Sequence, residues 1–379
     1  MFSVDVNPHY YVDGVLTLSK ELNLLNKKVL SQIQDVAGSG NMSPAEIAEW
    51  LDTHSEDIEH LVALKMFEYL DEAKAKGEVL KDHYENLDAF RGRLFTTWES
   101  PLKRLDALIY GCTEISNEVN SEYRTGSGER SAKLNITTRL HARAVQVSCE
   151  ISHLLKGGFA DGAMARWRTL HETTAILIFI AEGDEDLAKR FTDFQSIHRR
   201  KAANRYNKYS EELGFTSFSP EDLSRFDLER NDIVGKYEAG FGNELGWAAK
   251  ALGKEPSART KVRFSDIEEF VELDFLRPHY GFANQYIHAG IDSIGFKLGT
   301  SLSNKDLLLC GPSNEGLLEP IQCTSLSLIQ ATQAIISVLP NDQRLLYSSV
   351  LWLWHEKLKE EVVAASDALM KKGEADNFE

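Results

Sequence analysis

Apolar residues recur through most of this chain at three- and four-residue steps, and alternating β-branched runs are nearly absent. That period belongs to amphipathic helices. A first helix is predicted over residues 15–36, with Leu18, Leu22, Leu25, Val29 and Ile33 as its apolar stripe, ending at Gly38-Ser39-Gly40. Ser43-Pro44-Ala45-Glu46 then reads as a capping box with proline at the first helical position. The stripe it opens runs from Ile47 through Trp50, Leu51, Ile58, Leu61, Leu64, Phe67 and Leu70. Residues 80–123 form a further long helix carrying Leu94, Trp98, Leu102, Leu105, Leu108 and Ile109, with Pro101 as a candidate kink. The polar, glycine-rich stretch 125–131 marks a loop.

Further helices are predicted over 134–156, stopping at Gly157-Gly158, and over 159–181, stopping at Gly183. A charged helix follows over 184–213, and another over 221–237. Residues 241–263 are less regular. Helices over 267–275, 280–291, 316–338 and 342–371 complete the set. Residues 295–312 are the place for an irregular insert or a short strand pair, Phe296 to Leu298 with Leu307 to Leu309. The fold class expected is therefore all-α, a multi-helix bundle. Residues 1–79 form an N-terminal helical extension, 80–339 the main domain, and 340–379 a C-terminal helix with an acidic tail. Leu351, Trp352, Leu353 and Trp354 of that last helix face either the core or an oligomer contact.

Composition narrows this picture. With 379 residues, 42% of them hydrophobic, the chain can bury a substantial core. A net charge of −16 argues against a protein coated with nucleic acid but leaves room for a local basic site. Cys112, Cys149, Cys310 and Cys323 show no paired spacing, so they read as free buried thiols and not as a metal site or disulfide scaffold. No cofactor fingerprint or metal-ligand cluster is visible. Residues 1–8 lack the features of a secretory signal. The longest apolar run, 175–181, is far shorter than the roughly 20 residues of a membrane span. A cytoplasmic protein without a membrane partner is the expectation.

Candidate chemistry concentrates on the helix over 159–181. Arg166, Arg168, His171 and Glu172 fall within seven residues of an otherwise largely apolar helix. Arg168 and Glu172 are four apart and share a face. Arg166 and His171 point about 140° from one another and would have to converge on a ligand lying across the helix, or through a dimer partner. Such clusters are costly to bury and concentrate at functional sites. They also serve as structural ion pairs, and both readings stand. Asn284 and His288, with Tyr280, are spaced by four along a later helix. They are expected to face Arg168 and Glu172 and close one polar centre. Between Lys189 and Tyr209, Arg199, Arg200, Lys201, Arg205 and Lys208 are interleaved with aromatics. They read either as a phosphate-tracking surface for RNA or as a solvated helix face.

Residues from about 95 to 288 resemble the helical family called domain of unknown function 5677. The resemblance rests on the helix around Trp98 and residues 102–109. It rests also on the run Ile151-Ser152-His153-Leu154-Leu155-Lys156-Gly157-Gly158-Phe159-Ala160-Asp161-Gly162-Ala163, leading into Arg168-Thr169-Leu170-His171-Glu172, and on the later helix carrying His288. The family name implies no activity. Arg166-Trp167-Arg168-Thr169-Leu170-His171 is similar, more loosely, to the Arg, any four, His pattern of HEPN-type helical ribonucleases, with Trp167 where a polar residue often follows the Arg. That resemblance implies a metal-independent endoribonuclease of bacterial defence or toxin–antitoxin type, acting as a homodimer. In it His171 would move protons, Arg166 and Arg168 would hold the phosphorane charge, and Glu172 would orient His171 or Arg168. The alternative is a non-catalytic interaction or sensor module, a subunit beside a partner protein in a defence complex. There the same cluster is structural or binds a small anion.

Overall fold

A computed structural model of the chain describes residues 81–125, 131–255, 257–300 and 309–376 continuously, with isolated positions between 27 and 80. The expected helix over 15–36 lies almost wholly outside the described residues; Lys27 and Ser31 within it are helical. The capping box is formed. The Ser43 N–H donates to Glu46 Oε2 at 2.7 Å and the Glu46 N–H donates back to Ser43 Oγ at 3.4 Å. The chain divides into two compact units, residues 1–93 and 94–379.

The described residues build helices and no strand, so the all-α expectation holds. Helix α1 spans Lys81–Thr125 and continues through Pro101. From Leu94 onward it buries Leu94, Trp98, Leu102, Leu105, Leu108, Cys112 and Val119 along one side. Helices α2 (Ala132–Lys156) and α3 (Ala160–Glu182) follow, and the pair packs against α10 (Leu318–Val338) to form the centre of the second unit. Helix α11 (Asp342–Asp376) packs back on α10. Its Leu351 is buried, and a Cβ at Gly111 of α1 would meet Leu351 Cδ2 at 3.4 Å and a Trp354 ring carbon at 3.6 Å. Trp352 and Trp354 are half-buried. Arg104 of α1 grips Glu361 of α11 with two hydrogen bonds of 2.8 and 2.6 Å.

Caps explain where these elements begin and end. The Ser131 hydroxyl accepts the Leu134 N–H at the start of α2, and the Glu185 carboxylate takes the Ala132 and Lys133 N–H groups there. Gly158, at φ 79°, provides the left-handed step between α2 and α3 that a side chain would resist. Several buried hydroxyls of the central helices are disposed of locally. Thr137, Ser148, Thr173 and Thr332 donate to carbonyls one turn back, so they make close helix approach without leaving unsatisfied groups. Helix α10 is the described helix long and apolar enough to cross a membrane, and 67% of that apolar window is buried inside the bundle.

Four expectations need correcting. The charged helix over 184–213 is two helices, α4 (Glu185–Asp193) and α5 (Gln195–Tyr209). They break at Phe194, whose ring turns into the core against Phe241. Helix α5 then lies against α6 (Pro220–Lys236). The helix expected over 280–291 is α8 (Arg277–Gln285), preceded by α7 (Phe264–Phe270). It ends where the Ile287 and His288 N–H groups both donate to the Asn284 carbonyl, because Ile287, Ile291 and Ile294 beyond it find no core to enter. Only the single turn α9 (Asp292–Gly295) follows. Phe296 to Leu298 lead into a 3-10 turn at Leu298–Thr300 instead of a strand, and Leu307 lies outside the described residues. Of the four thiols, Cys112 and Cys323 are buried as expected, whereas Cys149 and Cys310 are exposed.

His141 of α2 gives this core a pH response. Thr332 donates its own hydroxyl proton to the Leu328 carbonyl, so at 2.8 Å its oxygen accepts from His141 Nε2–H. His141 Nδ1 is left bare and buried, and burial pushes the imidazole pKa down to about 3. An unfolded histidine binds its proton near pH 6.5, so the unfolded state takes up a proton that the folded state refuses. Stability from this site is full above about 6.5 and is lost as pH falls toward about 3. Urea unfolding across that window should show the decline, and His141→Phe should flatten its slope.

Candidate functional site

Helix α3 is fixed in rotation by Trp167. This ring is fully buried, and its Nε1–H donates to the Cys323 carbonyl and to Ser327 Oγ of α10, both at 3.0 Å. The Thr174 hydroxyl donates to the Ser327 carbonyl at 3.2 Å two turns further along α3. With that face locked to α10, the ionisable residues of α3 leave in three directions.

Arg166 turns toward α2. Its Nε–H donates to the Glu150 carboxylate and its Nη1 to Thr169 Oγ1 at 3.2 Å. Arg143 lies 3.7 Å from the same carboxylate. Arg168 and Glu172 pair as their spacing implies, Arg168 Nε to Glu172 Oε1 at 3.1 Å. Tyr280 of α8 completes that pair. Its hydroxyl donates to Glu172 Oε1 at 2.6 Å, and the Arg168 guanidinium lies 4.7 Å above its ring. Burial, reinforced by Glu172, pushes the Tyr280 phenol up to about 12, so it stays protonated and donating at neutral pH.

His171 turns inward and has no exposed surface. Its ring sits among Trp167, Tyr280 and Phe264, with centroids 5.2, 5.7 and 6.0 Å away. Its Nε2–H donates to Glu268 Oε1 of α7 at 2.7 Å, and Arg277 Nη2 donates to Glu268 Oε2 at 2.6 Å. Glu268 is 2% exposed. A buried carboxylate is expensive unless donors meet both oxygens, and here an imidazole and a guanidinium do so. His171 Nδ1 is buried without a hydrogen-bond partner among the described residues.

The expected convergences are therefore replaced by others. Arg166 and His171 do not meet; one binds α2 and the other α7. Asn284 and His288 do not close the polar centre with Arg168 and Glu172. Tyr280 takes that position. Because α8 ends at Gln285, His288 is off the helix face and exposed. It lines a cavity of about 330 Å³ with Asp161, Tyr286, Ser293 and Lys297. Asp161, pushed up by burial, accepts the Leu298 N–H at 2.6 Å and so pins the turn that carries Lys297. Asn284 Oδ1 is buried with no hydrogen-bond partner among the described residues.

The basic residues also separate. Arg199 donates to Glu229 at 2.7 Å and Arg200 to Asp227 at 2.6 Å, both on α6. Lys201, Arg205 and Lys208 are exposed.

Glu268, Arg277 and Glu150 were not among the expected site residues, and Tyr280 was read only as the first member of the stripe with Asn284 and His288. A signal existed for Glu268. Phe264, Ile267 and Val271 occupy positions one, four and eight of an apolar stripe, and Glu268 fills the remaining slot beside Ile267. A carboxylate in a core slot implies a buried partner. Nothing local identified that partner, since His171 lies 97 residues away.

Residues 134–306 match the model of a family of unknown function, DUF5677. The resemblance read from the sequence holds with shifted bounds: the run 151–163, the Arg168–Glu172 stretch and His288 lie inside the match, and the helix around Trp98 lies outside it. No curated protein and no solved structure matches the chain.

Glu268→Ala leaves the His171 Nε2–H buried without its acceptor, while Arg277, 42% exposed, can turn to water. It should destabilise the second unit by about 1–3 kcal/mol in urea unfolding. Tyr280→Phe removes one hydrogen bond at a partly exposed carboxylate and should cost only about 1 kcal/mol.

Proposed function

We propose that this chain is a non-catalytic helical interaction module, in which Arg168, Glu172 and His171 form an internal clasp tying α3 to α7 and α8. The observation that carries this reading is the complete burial of His171 behind three aromatic rings, with its Nε2–H committed to Glu268. A general acid or base has to reach the proton it moves, within about 3 Å or through one water. Arg166, the other half of the ribonuclease pattern, spends its guanidinium on Glu150 and Thr169. A dimer partner bringing a second copy would meet the same closed face.

An interaction role is supported by the surface between Phe275 and Phe296. Phe275, Phe282, Ile291, Ile294 and Phe296 are all more than half exposed, Ile291 at 80%. Exposed large apolar side chains recurring along one short stretch of chain offer area for another molecule to cover. The partner under this reading is a second protein or a second copy of the chain.

The enzyme reading makes an opposite prediction that is simple to check. Purified wild type, Arg166→Ala and His171→Gln incubated with single-stranded and hairpin RNA should all leave the RNA intact on denaturing gels. Cleavage by the wild type that disappears in Arg166→Ala, with an unchanged melting temperature, would replace the interaction reading with the endoribonuclease one. Arg166 is the discriminating position because it is partly exposed and outside the clasp.

A further inference from the structure

Helix α5 contains Arg199, Arg200, Lys201, Arg205 and Lys208 and no acidic residue, in a chain of net charge −16. Its neighbour α6 supplies acids on one side only. Asp227 and Glu229 neutralise Arg200 and Arg199. Lys201, Arg205 and Lys208 are exposed, and no acidic partner for them is found among the described residues. At about 100° per residue these three fall within an arc of about 60°, spread over about 10 Å of helix. Tyr209 continues the same face, 46% exposed, with Lys208 Nζ 4.8 Å from its ring centre. The other aromatics of the hairpin are used internally: Tyr206 packs on Phe215 and Phe218, and Phe218 on Phe226. Exposed Glu211 and Glu212 close the face just beyond the helix end.

We propose that the outer face of α5 binds single-stranded nucleic acid, with Lys201, Arg205 and Lys208 on successive phosphates and Tyr209 stacking on a base. This goes beyond the interaction-module reading and stands independently of it. Three unneutralised cations in a row attract a polyanion, and the acidic remainder of the surface confines that attraction to this face. The exposed Tyr209 ring distinguishes the partner. A base offers a π surface to Tyr209, which an acidic peptide does not, and a duplex hides its base faces. Arg199 and Arg200, held by α6, orient the helix and leave the stripe pointing outward.

The test is fluorescence anisotropy of a labelled oligouridine of about 12 nucleotides with the full chain. Binding is expected, with log K falling against log salt at a slope of about −2, the value for three phosphates on a single strand. The triple substitution Lys201→Gln, Arg205→Gln, Lys208→Gln should weaken binding at least tenfold at low salt. Tyr209→Ser should weaken it roughly tenfold. Melting temperatures should not change, because these side chains hold nothing else in place. If the triple variant is destabilised, Lys201→Gln alone serves, and the slope should shrink by about 0.7. No binding by the wild type at low salt, or equal binding by the triple variant, overturns the proposal. Polyglutamate of matched charge binding as tightly, with no loss in Tyr209→Ser, also overturns it and assigns the face to an acidic protein segment. Cutting of the bound oligouridine would sink the non-catalytic reading and leave this surface standing. Absent binding would sink the surface and leave the clasp untouched.

Discussion

The carboxylate of Glu268 sets the terms for the centre of the second unit. It is 2% exposed, and an ion so placed is tolerated only with both oxygens met by donors. His171 meets one from α3 and Arg277 the other from the start of α8. Satisfying a single acid thus fixes three helices relative to one another. The neighbouring contacts follow from that placement. Tyr280 is one turn beyond Arg277, so docking α8 through Arg277 delivers the Tyr280 hydroxyl to Glu172 and its ring to Arg168. Trp167, donating to α10 on the opposite side, keeps α3 from rotating away.

The same constraint bears on function. A cluster of arginine, histidine and glutamate on one helix has the composition of a catalytic site. Its members are consumed pairwise: Arg166 with Glu150, Arg168 with Glu172 and Tyr280, His171 with Glu268. The His171 pair is fully buried, whereas the Arg166 and Arg168 pairs are partly exposed. Outside the clasp lie the exposed apolar residues from Phe275 to Phe296 and the outer face of α5. The two differ in kind. The first presents side chains that water disfavours, the second charges without counter-charges.

Much of this architecture is legible in the chain itself. The three- and four-residue period defines the helices, and the glycines at 157, 158 and 183 end α2 and α3 where expected. The Ser43 capping box forms as its residue types dictate, because capping is local chemistry within four residues. The Arg168–Glu172 pair is likewise local, set by helical spacing alone. Such features depend on neighbours in sequence, and the sequence carries them.

Tertiary packing decided the rest. Whether Arg166 and His171 converge depends on which helices flank α3, and α2 and α7 draw them apart. Whether His288 shares a face with Tyr280 depends on where α8 stops. That in turn depends on the lack of a core for Ile287 and Ile291 to enter, which no residue within α8 announces. Glu268 shows the limit most clearly. Its place in an apolar stripe is a local fact that betrays burial. Its partner, 97 residues earlier in the chain, becomes a neighbour only once the helices pack.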